Sequence, residues 1–326
     1  MSTSTLKTLA ISLAVISGIM LTACGKKAEE TTLTTSGAVT ETSPSATAVD
    51  TPAPVAIPTE QFEKTGFFTG KFEPNSEFNK AKADYEKWTV KHGDDMTFEY
   101  KDIPTELRKY VYRDALYGYY SFISPNRLSI AIDEFNDDKT FSAHSIAAGN
   151  QRLITGTWEP VENGLHLLGK EPGDEPTDGS FDMTLNSTRL RGNWTAKTDN
   201  AVPKEFDLVR TKFEYNPELA QDEKTNDFVA LGENGFEKNP SVDKLKSKDV
   251  ENLTRPQIRV IRNLIFARHG YSFKGKDLRI MFESYDWYVP FTNDVKDQLT
   301  ELEKANIALL NRYEKYADKH YDEFGR

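Results

Sequence analysis

Between positions 100 and 215 apolar and polar residues alternate in three similar segments. GYYSFISPNRLSIAI begins at Gly118, GTWEPVENGLHLLGK at Gly156 and GNWTAKTDNAVPKEFDLVR at Gly192. Each sets a glycine two residues before an aromatic, then a turn rich in Pro, Asn, Gly or Asp, then an alternating run: Leu128, Ile130, Ile132; Leu165, Leu167; Phe206, Leu208. A period of two bounded by turn residues predicts strand-turn-strand units, and GSFDMTL with TRLRGNW adds a hairpin across Asn186 and Ser187. Strands at such regular spacing suggest an antiparallel meander, a barrel or a sandwich. Ahead of them, residues 75–91 repeat apolar positions near helical spacing (Phe78, Ala81, Tyr85, Trp88), and PTELRKYVYRDAL is a second short helix candidate. Both are expected to cover a sheet end, so residues 61–215 read as one mainly β domain.

Beyond an acidic, glycine-punctuated linker (216–248) the period changes to 3.6. LTRPQIRVIRNLIFARHG carries its own punctuation: Thr254 and Gln257 make a capping box, Pro256 stands in the first turn, and Gly270 ends the helix where left-handed backbone costs glycine little. Ile258, Ile261, Leu264 and Ile265 share a face, and Arg268 falls on it. A guanidinium turned toward a core needs acceptors, and Glu283, Asp286 and Glu303 are the candidates. His269 stands in the last turn, at the edge of that face. A second helix is predicted from Asp277 to about Ser284, running into Tyr285, Trp287 and Tyr288 and stopped by Pro290. A third, capped by Thr300 and Glu303, has a stripe of Leu302, Ala305, Leu309, Tyr313 and Tyr316. The expected fold is therefore α+β: a mainly antiparallel β domain, barrel-like or sandwich, followed by a small three-helix domain at 249–326.

The first 60 residues change the picture of where such a protein works. Lys7 precedes an uncharged, mostly apolar stretch ending in LTAC, shorter than a membrane-spanning helix needs, which reads as a secretory signal over residues 1–23. Residues 31–60, rich in Thr, Ser, Ala and Pro and free of aromatics, lack the apolar surface to offset their ordering entropy and read as a tether. Cys24 is the single cysteine, so no disulfide is available within the chain. A net charge of −10 argues against nucleic acid as a partner.

Two resemblances bear on these readings. Leu21-Thr22-Ala23-Cys24 closely resembles the lipobox of bacterial lipoproteins, which implies lipidation at Cys24, a membrane anchor made of two or more acyl chains, and the cell envelope as location. Gly25, where an aspartate would imply retention at the inner membrane, favours the outer membrane, with either face open. IRNLIFARHGYSF, WYVP and LTELEKANIALLNRYE together resemble the YARHG domain of secreted and envelope-anchored bacterial proteins. The naming motif stands here as Phe266-Ala267-Arg268-His269-Gly270, with phenylalanine in place of tyrosine. The resemblance implies an extracytoplasmic module and assigns no catalytic residue.

Chemistry-bearing patterns are sparse. There is no His-Glu-x-x-His, no Gly-x-Ser-x-Gly and no phosphate-cradling glycine loop, so no cofactor and no metal is expected. His144 and His166 lack a second histidine or cysteine at ligand spacing. The reading that results is a non-catalytic, lipid-anchored envelope protein binding peptidoglycan, polysaccharide or peptide. Its candidate residues are Arg262, Asn263, Arg268, His269, Tyr271, Trp287 and Tyr288, where aromatic faces would stand beside polar groups. Two alternatives stay open: a lipocalin-like small-ligand binder through the β domain, and a hydrolase using the Arg268/His269 region.

Overall fold

The alternating segments form strands that close into a barrel. A computed structural model describes residues 62–92, 98–116, 118–219 and 238–320, and the readings placed on residues 1–60, Cys24 included, lie outside them. The strands are β1 (Gly66–Lys71), β2 (Val111–Arg113), β3 (Tyr120–Phe122), β4 (Arg127–Phe135), β5 (Thr140–Ala147), β6 (Asn150–Val161), β7 (Gly164–Lys170), β8 (Gly179–Leu185), β9 (Arg189–Ala196) and β10 (Lys204–Arg210). Eight of them make a closed antiparallel barrel in the order β1-β10-β9-β8-β7-β6-β5-β4, with Phe68 of β1 opposite both Ile130 and Arg210.

The period of two decides the interior. Leu128, Ile130 and Ile132 of β4, Leu165 and Leu167 of β7, and Phe206 and Leu208 of β10 point inward with Phe68, Phe141 and Phe181, all at most 3% exposed. An eight-stranded barrel is just wide enough for side chains to fill, and each such burial stabilises the fold by roughly 1.5–3 kcal/mol. The repeated glycines before the tryptophans have a steric cause: a Cβ at Gly156 would lie 1.9 Å from the Leu168 carbonyl oxygen, and one at Gly192 2.1 Å from that of Asp182.

β2 and β3 stay outside the barrel as a separate two-stranded sheet. This corrects the expected second helix: only Arg108–Tyr110 makes a 3₁₀ turn, and the β-branched and aromatic pair Val111-Tyr112 then pairs with Tyr120–Phe122. It also splits the Gly118 segment, whose two halves lie in different sheets. α1 (Ser76–His92) covers this small sheet rather than a barrel end, packing Ala81 and Tyr85 with Ile103, Leu107 and Val111. The Tyr85 hydroxyl donates to the Tyr120 carbonyl at 3.1 Å.

The helical region comprises α2 (Ser247–Val250), α3 (Arg255–Arg268), α4 (Lys276–Glu283) and α5 (Glu301–His320). No helix among the described residues is long and apolar enough to cross a membrane. α3 begins with the expected reciprocal bonds between Thr254 and Gln257. It has two apolar faces rather than one: Val260, Leu264 and Ala267 pack with Phe282 and Tyr288, while Ile258, Ile261 and Ile265 pack with Val250 and Leu310. α5 keeps its Thr300/Glu303 cap, but its inward stripe is Glu303, Asn306, Leu310 and Ala317, and Tyr316 and Ala305 are exposed. The stripe expected from hydropathy is out of phase because two of the inward residues are polar. Asn306 holds the 240–245 segment through bonds to the Pro240 and Asp243 carbonyls and the Leu245 amide.

Among the described residues, the helical region and the barrel meet at Arg127, at the β5–β6 turn and at Phe67. Arg127, 7% exposed at the start of β4, donates from Nε to the Glu283 carbonyl (3.2 Å) and from Nη2 to that of Tyr285 (2.8 Å), a cation at the C-terminus of α4. The tight β5–β6 turn, with Ala148 and Gly149 both at positive φ, offers the Gly149 amide to the Ser272 hydroxyl at 3.0 Å. Phe291 stacks on Phe213 at 4.5 Å and meets Phe67 edge-on at 5.1 Å.

Candidate functional site

The Arg-His motif terminates α3. The Tyr271 amide donates to the Phe266 carbonyl (3.0 Å) and the Gly270 amide to that of Ala267 (2.9 Å), the paired bonds of a Schellman stop, with Gly270 at φ +72°. A Cβ there would come within 2.7 Å of both Phe213 and Phe291. The Gly270 carbonyl in turn accepts from the amides of Phe291 (2.7 Å) and Thr292 (3.0 Å), so the motif fixes where the chain returns.

Arg268 is 1% exposed, and its partners are not the carboxylates expected. Nε donates to the Leu219 carbonyl (2.8 Å) and Nη1 to Asn239 Oδ1 (2.6 Å), while Nη2 has no hydrogen-bond partner among the described residues. Asn239 reaches back to the Pro217 carbonyl and to Glu218, so the guanidinium ties 217–219 to 239–241. Burial pushes it down to about 10, against the attraction of Tyr215, Glu218 and Glu303. Glu283 and Asp286 go to Arg127 instead.

The carboxylate at the motif belongs to His269. Its Nε2 lies 2.9 Å from Glu303 Oε2, its ring stacks on Tyr215 at 4.1 Å, and the Tyr215 hydroxyl donates to Glu303 Oε1 at 2.8 Å. Burial raises the Glu303 carboxyl, but the bonds from His269, the Thr300 amide and Tyr215 outweigh it and hold the group at about 2. Burial and the Glu303 charge push the Tyr215 phenol up to about 12. His269 and Glu303 are 2% and 0% exposed, which leaves no room for a substrate between them.

The remaining candidates are not brought to one surface. Tyr288 is fully buried, its hydroxyl donating to the Tyr271 carbonyl at 2.7 Å. Asn263 is buried and donates to the Arg259 carbonyl, and Arg262 pairs with Glu314 of α5. Tyr271 and Trp287 are half-buried against the α4 cluster. A cavity of about 240 Å³ lies beside the motif, with Phe213, Ala267, Arg268, Trp287 and Val289 among its walls. His144 and His166 sit on the barrel's outer wall against Asp133 and against Glu159 and Asp182, and no group among the described residues could hold a metal ion.

A different site, not singled out by the sequence, lies at one open end of the barrel. There the ends of β1, β5, β7 and β9 meet the starts of β4, β6, β8 and β10 around a cavity of about 200 Å³. Phe72, Phe181 and Trp194 supply aromatic walls; Ser145, Arg152, Glu171 and Lys204 supply polar groups. The Glu171 side chain is 5% exposed and accepts from the Ser145 hydroxyl (3.1 Å) and Trp194 Nε1 (3.2 Å), with Arg152 Nη1 3.8 Å away. Arg152 is committed mainly to Asp178 and Thr177. Lys204 holds its ammonium 5.0 Å from the Trp194 ring and 5.8 Å from that of Phe72. The Gly-x-Trp repeat marked Trp194 in the sequence, but Glu171 reaches it from a turn with no pattern of its own.

Comparison with known proteins bears on the helical part. No curated protein and no solved structure matches the chain. Residues 241–315, from just ahead of α2 into α5, match the YARHG domain family, and the barrel stands outside the match. The chain contains a YARHG domain, built around the buried Arg268 and His269.

Proposed function

We propose that this is a lipid-anchored protein of the bacterial cell envelope, attached through Cys24, that binds an envelope component without turning it over. Its binding site is the open barrel end around Glu171 and Trp194, and the YARHG motif serves the fold, ending α3 and tying down the chain that leaves β10. The observation carrying this reading is Glu171: a carboxylate almost removed from water, held by Ser145 and Trp194 on the wall of a cavity with aromatic faces. The two donors and Arg152, itself shared with Asp178, hold the carboxylate at the cavity wall.

Size decides between a ligand swallowed by the barrel and one gripped at its mouth. Sites for whole small molecules run to roughly 300–1,000 Å³, whereas this cavity has about 200 Å³ and the interior beneath it is filled by Leu128, Phe181 and their neighbours. The lipocalin-like alternative is therefore replaced by recognition of one sugar or one residue of a longer peptidoglycan, polysaccharide or peptide chain. The test is a pull-down of the purified protein against peptidoglycan and envelope polysaccharides. Enrichment that disappears in Trp194→Ala supports the reading, and equal recovery of wild type and variant, or no enrichment of either, overturns it.

A further inference from the structure

At the mouth of the barrel the protein's own lysine occupies an aromatic corner, and what it does there indicates the ligand's chemistry. The Lys204 ammonium stands over the faces of Trp194 and Phe72 and is in no ion pair among the described residues. Its charge is met by ring quadrupoles, which attract cations most strongly where water is partly excluded. The indole N–H of Trp194 donates to Glu171 at 3.2 Å, which fixes at its edge the ring that the lysine covers.

The charges around the cavity sharpen the point. Of the charged residues that line the cavity, Arg152 and Lys204 stand against Glu171, and Arg152 is itself paired with Asp178 behind the wall. Lys204 is exposed at the first position of β10, directly opposite Trp194, and its flexible side chain can leave without breaking the strand ladder. Its departure leaves two vacant aromatic faces, one of them hydrogen-bonded at its edge to Glu171, while Arg152 stays held by Asp178. We propose that this end of the barrel is a cation site, taking an alkylammonium group that displaces the Lys204 side chain.

Such a group is carried by unacetylated amino sugars and by lysine-type side chains of peptides, and both are chemistries of cell-envelope polymers. The inference rests on the barrel mouth being the binding site, and it adds the charge of what binds there.

The test follows the Trp194 indole N–H resonance of the full-length protein by NMR, assigned with Trp194→Phe, during titration with tetramethylammonium, glucosamine and Nα-acetyl-lysine. Acetate and N-acetylglucosamine serve as anionic and neutral counterparts at matched ionic strength. The resonance is expected to shift with saturation on the ammonium probes, and the stronger of glucosamine and Nα-acetyl-lysine identifies the source. Lys204→Gln, which vacates the corner, is expected to tighten tetramethylammonium binding by on the order of tenfold, and Glu171→Gln to weaken it by a similar factor. Tighter binding of acetate, weaker ammonium binding in Lys204→Gln, or no saturable shift with any ammonium probe would overturn the cation site. Saturation by N-acetylglucosamine alone would also overturn it, while leaving the barrel mouth as the site of envelope binding.

Discussion

His269 Nε2 and Glu303 Oε2 meet at 2.9 Å across 34 positions of sequence, joining the end of α3 to the first turn of α5. Glu303 also caps its own helix by accepting from the Thr300 amide and hydroxyl, and it takes the Tyr215 hydroxyl on its other oxygen. One carboxylate thus orders a helix start, a helix end and the chain leaving the barrel. Glu303→Ala strands all of these donors at once and is expected to lower stability by about 3–5 kcal/mol, the usual range for breaking a buried pair. Urea denaturation measures it; a loss under 1 kcal/mol would mean the tie is incidental.

Arg268→Ala is expected to cost a few kcal/mol, because it leaves the Leu219 carbonyl without its donor in a buried place and takes from Asn239 Oδ1 one of its two, the other being the Ser241 amide. Arg268→Lys is expected to recover only part of that, since an ammonium does not reproduce the fork that serves two acceptors at once. Chemical denaturation of the two variants, run beside wild type, checks the order: wild type, lysine variant, alanine variant.

Two buried carboxyls set opposite pH responses. Burial pushes Glu283 up to about 7, against the Arg127 amide bond and the charges of Arg279, Arg127 and Lys71. The folded protein therefore holds a proton that the unfolded chain releases between about pH 4.5 and 7, and stability contributed by this group falls as pH rises through that window, by about 3 kcal/mol in all. Glu303, held at about 2, acts the other way: its contribution is present above about pH 4.5 and is lost as pH falls toward 2. Denaturation midpoints measured from pH 3 to 8 are expected to peak near pH 4.5, where the two windows meet. Glu283→Gln is expected to flatten the alkaline side while leaving the acid side intact.

Much of this was legible in the sequence where local rules suffice. The capping box at Thr254 and the glycine stop at Gly270 give α3 its ends, and the alternation of Leu128, Ile130 and Ile132 gives β4 its inner face. What failed were inferences that equate inward with apolar. Glu303 and Asn306 shift the buried stripe of α5, because their partners, His269 and the 240–245 segment, are fixed only by the tertiary fold. Arg268 found a backbone carbonyl and an amide rather than a carboxylate, and no periodicity encodes such partners. Glu171 was invisible for the same reason: a single acid after a strand carries no pattern until the barrel closes around Trp194.

The anchor has its own test. Cys24→Ala is expected to move the protein from the detergent phase to the aqueous phase in a phase-partition assay and to abolish incorporation of labelled fatty acid. Continued partition into detergent by the variant would refute lipidation at this position.

Ligand binding is assigned to the barrel end, and the YARHG residues to the fold. The most direct measurement is calorimetric titration of the captured envelope fraction into wild type, Glu171→Gln and Trp287→Ala, with melting temperatures taken in parallel. Glu171→Gln is expected to weaken binding by about tenfold, roughly 1.4 kcal/mol, with a nearly unchanged melting temperature, and Trp287→Ala is expected to bind as wild type does. Lost binding in Trp287→Ala beside full binding in Glu171→Gln would place the site at the motif instead.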